Sequence, residues 1–188
     1  MQQNPLLNFK EQGQGQAVVL IHGLFGSFEN LGVIARALQD EFQVLNIDVR
    51  NHGRSFHSDE MTYPLMADDL LQTLDSLHIN SVNLLGHSMG GKLAMAFALA
   101  QPKRVSKLVL ADIAPVAYPA RHNTIFAGLN AVDLTAISSR NEADAKLADY
   151  IDEPSVRQFL LKSLLKQDDK FSWRFNLAAL QKNYQQLI

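Results

Sequence analysis

The chain has 188 residues, of which 47% are hydrophobic, and a formal net charge of −2. A chain of this length can bury a substantial core within one domain. The nearly balanced charge gives no electrostatic reason to expect nucleic acid or an anionic membrane surface as a partner. Because cysteine is absent, disulfides and thiolate-bound metals are excluded.

The N-terminal residues lack the basic and apolar segments of a signal peptide. The longest wholly apolar stretch, residues 93–100, is far shorter than the roughly 20 residues needed to span a bilayer. We therefore expect a soluble, cytoplasmic protein without a membrane span.

Strand and helix patterns alternate in the first part of the chain. Apolar runs at residues 17–21, 42–47, 82–85 and 108–110 predict strands covered on both faces. Residues 6–15 suggest a weaker leading strand and turn. Helical periodicity covers residues 30–39, 64–77 and 89–100, with Thr62 as an N-cap. This order predicts an α/β fold with a doubly wound parallel sheet.

The pattern changes after Asp112. Four helical segments are predicted near residues 123–130, 142–150, 155–165 and 176–187, and no further β-rich run is recognised. We therefore divide the chain into a core at residues 1–112 and a helical cap at residues 113–188.

The most informative motif is Gly86-His87-Ser88-Met89-Gly90, between a predicted strand and a predicted helix. A G-x-S-x-G sequence suits a sharp strand-to-helix turn, because the residues two before and two after the serine approach each other closely. Such a turn directs the serine hydroxyl out of the sheet edge, where it can act as a nucleophile. An ordinary glycine-rich turn is the alternative interpretation.

A second glycine-rich loop, residues 22–26, follows the first clear strand. Loops that follow parallel strands gather at one edge of the sheet. We therefore expect the backbone amides of Leu24 and Met89 to form an oxyanion hole beside Ser88. Phe25 and Phe126 are predicted to line an apolar acyl pocket.

Four motifs occur in the order and spacing of the α/β-hydrolase esterases, and the set is most similar to the YbfF-type bacterial esterases. They are HGLFGS at 22–27, DVRNHGRS at 48–55, GHSMGG at 86–91 and DIAP at 112–115. The resemblance implies an α/β-hydrolase fold with a helical cap. It also implies hydrolysis of acyl esters or thioesters by serine, acid and histidine, without a cofactor or metal.

Asp112 is the predicted acid. The resemblance implies this role, and the residue also follows the strand next to the nucleophile strand, from which a carboxylate can orient an imidazole. A helix-capping or loop aspartate is the alternative. Asp48 is a weaker candidate, expected to be a structural carboxylate paired with Arg50 or Arg54.

The base is missing from the sequence pattern. The order in this fold is serine, acid, histidine, and the single histidine after Asp112 is His122, interpreted as a polar residue of the cap. The resemblance places the base after two further strands, and residues 108–110 would otherwise leave a bare apolar sheet edge. We therefore expect the chain to be C-terminally incomplete.

The predicted function is that of a serine carboxylesterase or thioesterase acting on a small-molecule acyl substrate through an acyl-enzyme. A hydrolase-like binding protein without chemistry is the alternative from another class. A C–C hydrolase or a cofactor-free haloperoxidase would use the same residues. The sequence leaves the oligomeric state open.

Overall fold

The computed structural model describes residues 5–188. A five-stranded sheet organises the first part of the chain, with its strands in the order β1-β3-β2-β4-β5. The strands are β1 Phe9–Gln12, β2 Gln16–Ile21, β3 Phe42–Ile47, β4 Val82–His87 and β5 Val105–Ala111. Strands β2 to β5 are mutually parallel, whereas β1 runs antiparallel to β3. The predicted parallel sheet is confirmed, with the leading strand joined to its edge in the opposite direction.

Helices cover both faces of the sheet at β2, β3 and β4, which explains their continuous apolar runs. The expectation that residues 108–110 are covered on both faces was wrong, because Leu108 and Val109 of β5 are 39% and 51% exposed. Successive residues of β2 point to opposite faces: Val18 and Leu20 pack beside α1 (Gly32–Leu38), whereas Val19 and Ile21 belong to the larger core cluster. That cluster includes residues of α2 (Tyr63–Ser76) and α3 (Met89–Ala100). The prediction of Thr62 as N-cap is correct, because its hydroxyl accepts a hydrogen bond from the Leu65 amide.

The segment after β5 is helical but contains one hairpin that the sequence interpretation missed. Its helices are α4 (Asn123–Ala131), α5 (Arg140–Ala148), α6 (Pro154–Leu161) and α7 (Leu177–Asn183). The hairpin pairs β6 (Leu164–Gln167) with β7 (Lys170–Trp173). The prediction of no further strand was therefore wrong, and the helix predicted to residue 165 ends at Leu161.

The turn and the strand pattern of this hairpin are typical of a tight antiparallel pair, although they are too short to be recognised in the sequence. Asp168 and Asp169 both have positive φ, at 48° and 61°, which fits a tight two-residue hairpin turn. Phe171 and Trp173 alternate with exposed residues, as one buried strand face requires. Each strand has only four residues, too few for the alternation to stand out.

The hydrophobic core continues from the sheet into the helical segment. One cluster of buried side chains contains Ile21 of β2 and Leu93 of α3 together with Phe126 of α4 and Leu160 of α6. The two segments therefore pack against each other, and their division at residue 112 stays a prediction. None of the helices in residues 5–188 is both long enough and apolar enough to cross a membrane.

Candidate active site

Ser88 lies in the sharp turn that its motif predicts. Strand β4 ends at His87, α3 begins at Met89, and Ser88 between them has φ 52° and ψ −120°. A Cβ on Gly86 would lie 2.2 Å from the carbonyl oxygen of Gly90, and one on Gly90 would lie 2.3 Å from that of Ile21. Both glycines are therefore required by close backbone packing, for the steric reason inferred from the motif.

The loop after β2 approaches this turn closely. A Cβ on Gly23 would lie 3.3 Å from the Cβ of Ser88. The loop turns where the Gly26 amide donates to the Gly23 carbonyl at 3.1 Å, with Phe25 at a φ of 63°. Within residues 5–188, the amides of Leu24 and Met89 donate to no protein acceptor. Two unpaired N–H groups beside a serine can stabilise an oxyanion.

Two buried histidines hold this loop in place. His52 Nε2 accepts a hydrogen bond from the Phe25 amide at 3.1 Å, and its Nδ1–H donates to the Arg50 carbonyl. His22 Nε2 accepts from the Val49 amide at 3.1 Å, and its Nδ1–H donates to the Gly23 carbonyl. Burial lowers the pKa of both imidazoles, that of His52 to about 3, so both are neutral at pH 7.

Asp112 lies next to the serine at the end of β5. Strands β4 and β5 pair so that His87 faces Ala111, and the Ser88 amide donates to the Ala111 carbonyl at 3.0 Å. Asp112 has φ 52° and an exposed side chain that faces the same cavity as Ser88. The carboxylate has no ion-pair or hydrogen-bond partner among the described residues, and this leaves it accessible to an imidazole.

Asp48 is fully buried and has a structural role. Its carboxylate accepts hydrogen bonds from the amides of Phe28 and Arg54 and from Asn8 Nδ2, at 2.8, 2.9 and 2.8 Å. A Cβ on Gly53, whose φ is +57°, would collide with this carboxylate. The carboxylate therefore ties together three segments around the sheet edge and is not presented to Ser88.

The expectation that Asp48 pairs with Arg50 or Arg54 was partly wrong. Arg50 forms its ion pair with Asp69 of α2, at 2.5 and 2.7 Å, and its Nη1 also donates to the Glu60 carbonyl. Arg54 contributes only its backbone amide to Asp48. Side chains of Arg50 and Asp69 meet across a sequence separation of 19 residues, and local spacing does not encode such pairing.

Two cavities, of about 510 and 490 Å³, are lined in part by Ser88. Leu24, Ser88 and His122 line both of them. The larger also contains Met89 and Asp112. The structure thus brings together the predicted nucleophile, the predicted acid and the two predicted oxyanion-hole residues.

Phe25 and Phe126 do not line either cavity, contrary to the predicted acyl pocket. Their side chains are 2% and 4% exposed and pack edge-to-face at 5.3 Å, with Phe175 on the other side of Phe25. Aromatic side chains of this size become core when a cap closes over them. Phe25 and Phe126 therefore lie in the core, beneath the residues that line the cavities.

Four cavity residues were missed or misjudged from the sequence. They are Lys92, Arg121, His122 and Tyr184. Lys92 follows Ser88 by one helical turn, so its position was predictable from the i, i+4 spacing in α3. The other three depend on how the cap folds over the sheet, and His122 in particular is a polar residue of the cap that lines both cavities together with Ser88.

Comparison with known proteins agrees with this geometry. Residues 16–176 match the family described as alpha/beta hydrolase fold. Esterase YbfF of Escherichia coli (strain K12) is 43% identical over 180 residues, which cover 95% of this chain and 69% of that protein. The sn-1-specific diacylglycerol lipase ABHD11 of Xenopus laevis is 43% identical over 184 residues, covering 93% and 58%.

Solved structures show the same fold. The structure of a marine microorganism esterase superposes with a TM-score of 0.94 at 42% identity, covering 97% of this chain and 73% of that one. The hydrolase of E-2-(acetamidomethylene)succinate superposes with a TM-score of 0.79 at 23% identity, a likeness of fold alone. The sheet, the strained serine turn and these matches together show that the chain belongs to the α/β-hydrolase family.

Proposed function

We propose that the protein is a serine hydrolase that cleaves acyl esters or thioesters through an acyl-enzyme. The observation that carries the proposal is Ser88, held at φ 52° at the end of β4 beside two cavities. The unpaired amides of Leu24 and Met89 support it further. The printed names of the relatives, an esterase and a diacylglycerol lipase, favour carboxylic esters as the substrate class.

The proposed reaction has two steps. Ser88 Oγ attacks the acyl carbonyl, its proton passes to a base, and the oxyanion is held by the Leu24 and Met89 amides. The alcohol or thiol leaves with that proton, and the acyl group remains on Ser88. Water, deprotonated by the same base, then releases the carboxylic acid and restores the serine.

We propose that Asp112 orients the base and that the base is a histidine outside the described residues 5–188. A carboxylate in this position fixes the tautomer of an imidazole and stabilises the imidazolium that forms. Asp112 is exposed beside Ser88, and among the described residues no histidine contacts it. The chain covers 69% and 58% of the esterase and lipase relatives.

The proposal is tested with a fluorophosphonate probe and p-nitrophenyl butyrate, on residues 1–188 and on the product of the complete open reading frame. We expect the complete product to be labelled at Ser88 and to hydrolyse the ester, and Ser88→Ala to abolish both. Residues 1–188 alone should retain only a small residual rate, because loss of the base typically costs about 10⁶ in kcat.

Two results would contradict parts of this proposal. Rapid turnover by residues 1–188 that disappears in Ser88→Ala would place the base within the described chain, with His122 as the candidate. A complete product that is folded but unlabelled at Ser88 would instead indicate a binding protein without chemistry.

A further inference from the structure

His122 stands where the two cavities meet. It lies just before α4, is partly buried, and lines both cavities together with Ser88 and Leu24. Its ring also packs edge-to-face against Phe25 and Tyr184, with centroids 6.1 and 5.5 Å apart. An imidazole fixed in this place would contact any substrate that reaches Ser88.

Tyr184 determines which ring nitrogen of His122 carries the proton. The Tyr184 hydroxyl oxygen accepts hydrogen bonds from the backbone amides of Arg121 and His122, at 3.0 and 3.2 Å. The same oxygen is 2.7 Å from His122 Nδ1. A phenol has one hydrogen to donate and two acceptor sites. Since both acceptor sites are taken by amides, the hydroxyl hydrogen must point to Nδ1.

The neutral imidazole of His122 therefore carries its hydrogen on Nε2. Burial, and next the positive charge of Arg121, lower the pKa of His122, so the ring is neutral at pH 7. Within residues 5–188, Nε2 has no hydrogen-bond partner. The Nε2–H group can therefore donate a hydrogen bond to a molecule bound in the cavities.

We infer that His122 is a substrate-binding residue that donates its Nε2–H to an acceptor oxygen of the ester next to the scissile bond, and that Tyr184 is the positioning residue that holds this tautomer. The same arrangement argues against His122 as the base. The ring nitrogen that could take up a proton is Nδ1, and it already accepts the hydroxyl hydrogen of Tyr184. This inference rests on the proposed esterase function.

The first test reads the tautomer directly. In the product of the complete open reading frame, Ser88→Ala should bind an ester without turnover, so ethyl hexanoate can be titrated while long-range ¹H–¹⁵N spectra follow the ring nitrogens of His122. We expect the Nε2–H tautomer at pH 7 in the free protein and a shift of Nε2 on ester binding. The Tyr184→Phe variant should populate both tautomers. An Nδ1–H tautomer, or no response of Nε2 to bound ester, would overturn the inference.

The second test separates the hydrogen bond from the shape of the cavity. In the Ser88→Ala background, His122→Gln keeps a donor near the position of Nε2, whereas His122→Leu removes it. Loss of one hydrogen bond of about 1.4 kcal/mol corresponds to about tenfold weaker binding of ethyl hexanoate by His122→Leu. His122→Gln should stay within about threefold of the parent. Binding of 1-octene, which has no oxygen, should not weaken in His122→Leu.

Equal weakening of ester and alkene binding by His122→Leu would show a packing role and would contradict the inference. If the ester does not bind to the folded Ser88→Ala protein at all, the proposed esterase function fails, whatever the His122 tautomer. If the ester binds equally well to the Gln and Leu variants, the esterase proposal stands and the inference about His122 fails.

Discussion

Ser88 and Asp112 share an unusual backbone conformation. Both have φ of 52°, and they follow the neighbouring strands β4 and β5. A non-glycine residue in this region costs about 1–3 kcal/mol and persists only where its surroundings impose it. Here the hydrogen bond from the Ser88 amide to the Ala111 carbonyl joins the two turns. The strain is thus located at the two side chains proposed to act in catalysis.

The two aspartates of the sheet edge are expected to respond differently to the same substitution. In the complete product, Asp112→Asn should lower kcat by roughly 10⁴, because an amide does not hold the imidazole in the tautomer that a carboxylate fixes. The effect on stability should be small, because the side chain is exposed. Asparagine also tolerates positive φ. Asp48→Asn should instead lower the free energy of unfolding by about 2–4 kcal/mol, because an NH₂ group would face backbone donors.

Urea unfolding and p-nitrophenyl butyrate kinetics on both variants measure this contrast. If Asp48→Asn folds normally and loses activity while Asp112→Asn retains it, the acid is Asp48 and our assignment is wrong.

The serine turn depends on close contact among three elements. The start of α3 packs against the end of β2 and the end of β4, with no space for a side chain at Gly86 or Gly90. At Gly91, a Cβ would lie 2.4 Å from Cγ2 of Ile113, the residue after Asp112. The position of Ser88 is therefore determined jointly by the sheet and the helix.

Replacing Gly90 by alanine should destabilise the protein by about 2 kcal/mol or more, because the new Cβ meets backbone carbonyls that cannot move aside. Gly32→Ala is the matched control. A Cβ there meets only Arg36 Nη1, at 3.5 Å, in a helical conformation. It should be neutral or stabilising by up to about 1 kcal/mol. Urea midpoints compare the two, and equal midpoints would contradict the proposed packing at the turn.

At the scale of the whole molecule, buried polar groups link the sheet to the cap. The Asn176 amide donates to the Asn51 carbonyl, Tyr63 Oη donates to the Leu187 carbonyl, and Ser163 Oγ donates to the Phe25 carbonyl. Nε2 of the neutral His52 imidazole accepts a hydrogen bond from the amide of the same Phe25. Global stability is therefore coupled to the protonation of His52, whose imidazole binds the backbone of the loop that contains Leu24.

Acid should destabilise the fold through His52. Its pKa is about 3 in the folded protein, against an ordinary value of 6.5. Between these two pH values the unfolded chain binds a proton that the native state does not. The free energy of unfolding should therefore fall with decreasing pH from 6.5 towards 3, by up to about 1.4 kcal/mol per pH unit for this residue.

Thermal unfolding across this pH range, for wild type and His52→Gln, measures the effect. His57→Gln, at an exposed site, is the matched control. If His52→Gln reduces the pH dependence of unfolding no more than His57→Gln does, the burial of His52 is not the cause of the acid destabilisation.

The strand and helix order of the core, the serine turn and the position of Asp112 could all be predicted from the amino-acid sequence. These features are local: apolar runs mark the parallel strands, and the spacing of Gly86, Ser88 and Gly90 reflects steric limits within one turn. A residue directly after a parallel strand lies at the active edge wherever the remaining chain goes.

Which distant side chains meet, and how deeply they are buried, could not be predicted and follows from the packing of the folded chain. Arg50 pairs with Asp69 and not with Asp48, Phe25 and Phe126 are buried behind the cavities, and His122 reaches Tyr184 across 62 residues of chain. Periodicity reports the face of an element on which a residue lies. The choice of partner follows from how whole elements pack, because burial forces each polar group to pair with whatever donor or acceptor the fold brings within reach.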